Sequence, residues 1–187
     1  MRTPHSARSA AIASRSGAHV PSCRMPQPTP AWTDADTLLL PVPAASWPPP
    51  SAPLRLDGIA FLPKRELHVT LVGRALGAAL RDAGLRATAA SACAGLDWRF
   101  VRLTQWLRLE KRAGGRRRHS IIELVDLPAM ATLHARLGAM LGRVLPVPPP
   151  HVTLYVAGDE QGIGVPDAAT LARCTVRRVD PGELGLR

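Results

Sequence analysis

Cysteine, lysine and aromatic residues are all scarce in this chain of 187 residues, and each shortage narrows what the protein can be. The three cysteines, Cys23, Cys93 and Cys174, are an odd number with no C-x-x-C spacing and no histidine at metal-ligand spacing. Neither a disulfide framework nor a zinc site is expected, which suits a reducing, cytoplasmic setting. No apolar run approaches the roughly eighteen residues of a membrane span, so a soluble protein without a membrane partner is expected. Lysine occurs twice against twenty-two arginines, and Ala, Gly and Pro are abundant, a bias that GC-rich coding imposes whatever the function. With four Trp, two Phe and one Tyr, any stacking on a nucleobase would rest on Phe61, Trp98, Phe100, Trp106 or Tyr155.

Acids are missing from the first thirty-three residues, which hold Arg2, Arg8, Arg15 and Arg24 and so carry four of the ten net positive charges. Most of the remaining excess sits in one short run: Arg108, Lys111, Arg112, Arg116, Arg117 and Arg118 against Glu110. A concentrated patch of this kind favours a polyanion such as RNA or a nucleotide, because phosphate attraction follows the local field. A solvated charge run without function is the competing expectation.

Residues 1–53 hold eleven of the nineteen prolines and no sustained period of 2 or 3.6. They read as a disordered tail, or as an over-extended start with Met25 as the true one, in preference to a targeting segment. Leu38-Leu39-Leu40 is a short apolar piece able to dock as an edge strand. Residues 54–187 read as one domain. Leu54 to Pro63 is expected as a strand, Leu67 to Val72 as a second, and Ala75 to Leu85 as an amphipathic helix. Trp98 to Leu109 and Ser120 to Leu127 alternate and form a hairpin tipped by the basic run. A helix opens at Pro128 and ends at Gly142, a strand runs from His151 to Val156, and a Gly-rich loop leads to a helix near Asp167 to Cys174 and a last strand near Thr175 to Val179. Such an order fits an α+β architecture of two similar halves facing each other across a cleft.

The six histidines include two inside an identical tetrapeptide, His68-Val69-Thr70-Leu71 and His151-Val152-Thr153-Leu154. On a strand, residues two apart leave the same face, so each copy presents an imidazole beside a hydroxyl while Val and Leu face the other way. Two imidazoles of ordinary pKa near 6.5 supply a base and an acid together near neutral pH. Phosphoester transfer uses such a pair: one takes a proton from the attacking oxygen and the other protonates the departing oxygen. Thr70 and Thr153 would then hydrogen-bond the non-bridging phosphate oxygens, where charge accumulates. No metal and no cofactor are required.

At these residues the chain resembles the two-histidine (2H) phosphoesterase superfamily, whose signature is two copies of His–apolar–Ser/Thr–apolar, one in each of two related lobes. Members include the bacterial 2′-5′ RNA ligase-like proteins and the RNA 2′,3′-cyclic phosphodiesterases, and Pro150 before the second histidine also matches the ligase-like proteins. The resemblance implies a bilobal α+β fold, with two pseudo-symmetric antiparallel sheets and flanking helices around a central cleft. It further implies a monomer that hydrolyses an RNA 2′,3′-cyclic phosphate or a 2′-5′ phosphodiester without metal, or joins RNA by the reverse reaction. His68 and His151 would be catalytic, and Thr70 and Thr153 would bind phosphate. Where many ligase-like proteins carry an arginine after the second motif, this chain has Val156, so Tyr155, Arg116, Arg117, Arg118 or His119 would supply the missing contact to phosphate or RNA.

Blander readings stand beside these. The paired motif also fits two edge-strand histidines with satisfied hydrogen bonds and threonines chosen for β propensity. His119 reads first as a hairpin residue, His134 as a boundary residue on its helix, and Trp98 with Trp106 as core packing. A non-catalytic RNA or nucleotide binder using the basic hairpin 108–118 is the alternative function.

Overall fold

In the computed structural model residues 28–185 are described, so the Arg-rich opening, Met25, His5, His19 and Cys23 lie outside the described residues. Part of the expected tail belongs to the fold. Ala31–Trp32 forms β1 and Leu38–Pro41 forms β2, and β2 pairs antiparallel with β5, His68–Val72. Leu38 and Leu40 are 1% and 0% exposed. Trp47 is buried under the Arg102 guanidinium, which lies 4.0 Å from its ring centroid. The boundary drawn at residue 53 therefore moves to before Ala31. Proline content misled here, because prolines that flank a four-residue strand remove none of the apolar area that Leu38, Leu40 and Trp47 bury, at about 25 cal/mol per Å².

The single strand expected from Leu54 to Pro63 is a hairpin of β3, Leu54–Leu56, and β4, Ile59–Pro63. Asp57 and Gly58 turn it, with φ of 51° and 77°. Two consecutive positive φ values match the twist of the flanking strands, which is why Asp-Gly is a strong hairpin signal. Gly114 and Gly115, with φ of 58° and 76°, do the same between β6, Val101–Ala113, and β7, Arg116–Asp126. After them come β8, His151–Ala157, and β9, Thr175–Val179.

Among the described residues the strands join one nine-stranded antiparallel sheet, ordered β1-β2-β5-β8-β7-β6-β9, with β4 also pairing β8 and β3 pairing β4. Where two sheets were expected, one continuous sheet runs through the molecule. Helices α1, Arg74–Asp82, α2, Arg86–Ser91, and α3, Ala129–Met140, bury Leu80, Ala89, Met130, Leu133 and Leu137 in one core with Val69, Leu71, Ile121 and Val152. Burying each such Leu or Val side chain stabilises the fold by about 1.5–3 kcal/mol. A second cluster joins Leu107, Leu109 and Ile122 to Ile163, Val165 and Cys174, the last residue of α4, Ala168–Cys174. Neighbours on a strand point to opposite faces, so Ile121 and Ile122 place these two clusters on opposite sides of the sheet.

α1 follows β5 directly and packs close against the turn between β1 and β2. A Cβ on Gly77 would stand 1.7 Å from the Asp36 carbonyl oxygen, so only glycine permits that approach. Asp36 is ion-paired with Arg81 and, at 3.5 Å, with Arg86. His134, expected at the edge of its helix's apolar stripe, is instead 3% exposed, and its Nε2–H donates to the Leu71 carbonyl at 2.9 Å. It ties α3 to the strand that carries the first motif.

Candidate functional site

Both tetrapeptides form strands, as their alternation predicts, and the strands are neighbours. Val69 pairs with Val152 in an antiparallel ladder. This register sets His68 across from Thr153 and Thr70 across from His151, on the face opposite α1, α2 and α3. Each imidazole therefore stands beside the hydroxyl of the other strand. The two histidines occupy a diagonal of the resulting square, where Cα atoms are about 7–8 Å apart, room for a tetrahedral phosphate between the rings. All four side chains are half-buried, while Val69 and Val152 behind them are fully buried.

β5 and β8 share only that one paired position and then diverge. β4 fills the widening gap by pairing Leu62 with Val156 and Pro63 with Tyr155, and the Lys64 amide donates to the Leu154 carbonyl at 2.8 Å. The divergence brings Lys64 to the site: its charge is a cause of the lowered His68 pKa. Its ammonium also donates to the Glu160 carbonyl at 3.2 Å, linking the end of β4 to the loop that follows β8.

That loop walls one side of the square. The Ile163 amide donates to the buried Ser120 hydroxyl at 3.1 Å. This seats Gly162 over Thr153, where a Cβ would be 3.0 Å from the hydroxyl oxygen and 3.3 Å from the methyl. Gly162→Ala should push the Thr153 hydroxyl aside by a few tenths of an ångström. Because misplacements of about 1 Å cost up to about a hundredfold, kcat/KM is expected to fall about tenfold with the fold intact. Steady-state kinetics beside a thermal melt would check this, and unchanged kcat/KM would show that Thr153 does not touch substrate.

Burial is the largest cause holding the His68 pKa below its ordinary 6.5; the positive charge of Lys64 and then His151 add to it, and Glu66 opposes. Burial lowers His151 as well, opposed by a hydrogen bond in which its Nδ1–H donates to the Pro149 carbonyl at 2.8 Å. A carbonyl can only accept, so in the neutral ring the proton sits on Nδ1 and the lone pair on Nε2. The extended Pro146 to Pro150 connector thus fixes the tautomer of the histidine that follows it.

Other residues expected near phosphate fall elsewhere. Between Ile122↔Thr153 and Ile121↔Tyr155 the β7–β8 register shifts, leaving one extra residue in β8. This β-bulge breaks the two-residue period, and Tyr155 turns into the main core, 6% exposed, with its phenol pKa raised by burial. The expectation that its hydroxyl contacts substrate is corrected. His119 pairs with Ala157, six residues along β8 from His151. It is 8% exposed, with Nδ1 3.6 Å from Glu110 and its ring edge-on to Phe61. Arg116, Arg117 and Arg118 lie further still from the square, Arg118 paired with Asp159 at 2.8 Å. Contact with the reacting phosphate is corrected for all four.

Phe61, Trp98 and Trp106 are buried in the main core, and Phe100 packs against it, so none offers a face to a base beside the histidines. Trp32, from the segment first read as tail, also packs against that core, with the Arg86 guanidinium 5.1 Å from its ring centroid. With Leu39, Pro41, Pro49, Arg65 and His68 it lines a cleft of about 370 Å³. Lys64 was missed, since only the β4–β8 pairing carries it to the histidines. The Gly-rich loop was seen, but nothing in its spacing could place Gly162 on Thr153. Among the described residues no group of three or more His, Cys, Asp or Glu side chains could hold a metal ion.

The chain matches no described protein family, no curated protein and no solved structure. The residues of the square carry the functional reading by themselves.

Proposed function

We propose that this protein is a phosphodiesterase of the two-histidine type, acting on an RNA 2′,3′-cyclic phosphate or a 2′-5′ phosphodiester without a metal ion. The observation that carries the reading is the Val69↔Val152 register, which makes two His/Thr pairs into one four-residue cluster with a local twofold relation. In this reading β5 and β8 are the central strands of two related lobes. The phosphoryl group lies on the histidine diagonal, with Thr70 and Thr153 donating to its non-bridging oxygens and Lys64 offsetting their charge.

His151 is the base, since its anchored Nδ1–H leaves Nε2 free to take a proton from water as the water attacks phosphorus. His68 is the acid and protonates the departing ribose oxygen. The product is a phosphomonoester, and between turnovers His151 releases its proton to solvent while His68 takes one up. With an RNA hydroxyl in place of water as the attacking group, the same two proton transfers join that hydroxyl to a cyclic phosphate and open its ring.

Hydrolysis of a 2′,3′-cyclic mononucleotide in EDTA tests the proposal. Turnover supports it, whereas RNA binding with no turnover favours the non-catalytic binder, and turnover only with added metal refutes the mechanism. The pH profile is a separate check. Both imidazoles take up protons below 6.5, and the competent free enzyme holds one proton between them. Its population peaks between the two pKa values, so kcat/KM should be maximal below pH 6.5 and at least about tenfold lower by pH 8, where both rings are neutral. A kcat/KM optimum above pH 7 would contradict the assignment.

A further inference from the structure

The basic end of the β6–β7 hairpin takes no part in the square, and its charges are arranged against its own stability. Lys111 lies directly across from Arg118, and Arg112 directly across from Arg117, with Arg116 at the tip. Like charges in opposed positions destabilise a hairpin. Relief within the protein is partial: Arg118 meets Asp159 at 2.8 Å and Arg117 stands 3.8 Å from Glu110, the one acid of the arm. Lys111, Arg112 and Arg116 are exposed. Two consecutive like-charge pairs at the end of a long ribbon are the arrangement a polyanion stabilises.

The ribbon is also aligned with the proposed site. β7 runs without a break from Leu124, paired with His151, to Arg117, seven residues away. At about 3.3 Å per residue that is about 23 Å. A nucleic-acid strand advances about 3.4 Å per nucleotide in helical form, so about seven nucleotides cover the distance and fewer do when stretched. Residues 110–118 include no aromatic and no large apolar side chain to enter a bilayer, which favours a nucleic acid over a lipid surface.

We propose that the arm formed by residues 110–118 is a docking surface for the phosphate backbone of single-stranded RNA, holding the strand whose end lies in the His/Thr square. The placement of that end rests on the phosphodiesterase reading; the arm's affinity for RNA does not. A mononucleotide reaches only the square, whereas a chain of seven or more nucleotides reaches both.

The test is fluorescence anisotropy with labelled single-stranded RNAs of 3 and 12 nucleotides, from 50 to 200 mM KCl, on the wild type and on K111Q/R112Q/R116Q/R117Q. Each phosphate contact contributes about 0.7 to the log–log salt slope on single strands. The wild-type slope for the 12-mer should exceed that of the variant by about three, its affinity should be at least tenfold higher, and the 3-mer should not distinguish the two proteins. Equal slopes, an equal loss for the 3-mer, or wild type that binds phosphatidylserine-containing vesicles but not the 12-mer would overturn the proposal. Should the variant lose its folded circular dichroism spectrum, the wild type decides alone: the same slope for 3-mer and 12-mer refutes the arm. The two readings fail separately, since cyclic mononucleotide turnover tests the histidines and the salt slope tests the arm.

Discussion

Replacing His68 or His151 by alanine should lower kcat for a 2′,3′-cyclic mononucleotide by about a hundredfold to ten-thousandfold, the usual contribution of a positioned acid or base. The two act on one transition state, so the double variant should lose little more than the worse single variant. His151→Ala also removes the hydrogen bond to the Pro149 carbonyl, worth about 1 kcal/mol, and both side chains are half-buried, so each variant should remain folded. Loss of activity with an unchanged circular dichroism spectrum is the expected result. A His151→Ala protein within threefold of wild-type kcat would remove the assigned base. Imidazole added to that variant should restore part of the rate, which a merely structural histidine would not allow.

The largest expected loss of stability lies behind the site. Glu123 is 0% exposed in β7, between the residues that pair with His151 and Thr153. Its carboxylate accepts from Arg102 Nε at 2.9 Å, from Arg102 Nη2 at 2.7 Å and from the Trp106 indole N–H at 2.9 Å. The β6 bulge between Arg102 and Trp106, where Thr104 has a φ of 51°, lets both donors converge on it. Arg102→Ala leaves a buried carboxylate with only the indole donor and uncovers Trp47. The loss should be about 3–5 kcal/mol. For a domain of this size each kcal/mol lowers Tm by about 2–4 °C, so a drop of about 6–20 °C should be read in a thermal melt. Glu123→Gln, which keeps its volume and the indole contact, should cost less. A loss under about 1 kcal/mol for Arg102→Ala, measured by urea titration, would show that the network adds nothing to the fold.

These two predictions differ in how far they could be read from the chain. Alternation alone put His68 with Thr70, and His151 with Thr153, on one face of a strand, because side-chain direction on a strand has a period of two. The same period placed Tyr155 beside them, and the β8 bulge overrode it by adding a residue that pairing with β7 leaves unmatched. Trp106 was legible as core packing, but Arg102 and Glu123 carried no signal, since a buried carboxylate becomes visible only when two strands bring its donors together. His119 drew attention by its place beside three arginines, and the strand register carried it to Ala157, four residues beyond Thr153.

The sequence by itself determined the α+β class, the order of strands and helices from Leu67 onward apart from α2 and the full reach of the β6–β7 ribbon, the two His/Thr pairs and the basic hairpin, all local properties set by period, caps and turn residues. Tertiary structure alone decided that the two pairs are neighbours, that Val69 meets Val152, that Lys64 and Gly162 border the result, and that β1 and β2 belong to the sheet. The reason is physical. Side-chain direction is fixed within a few residues of chain, whereas strand register is fixed by burying Val69 and Val152 against helices far away in sequence.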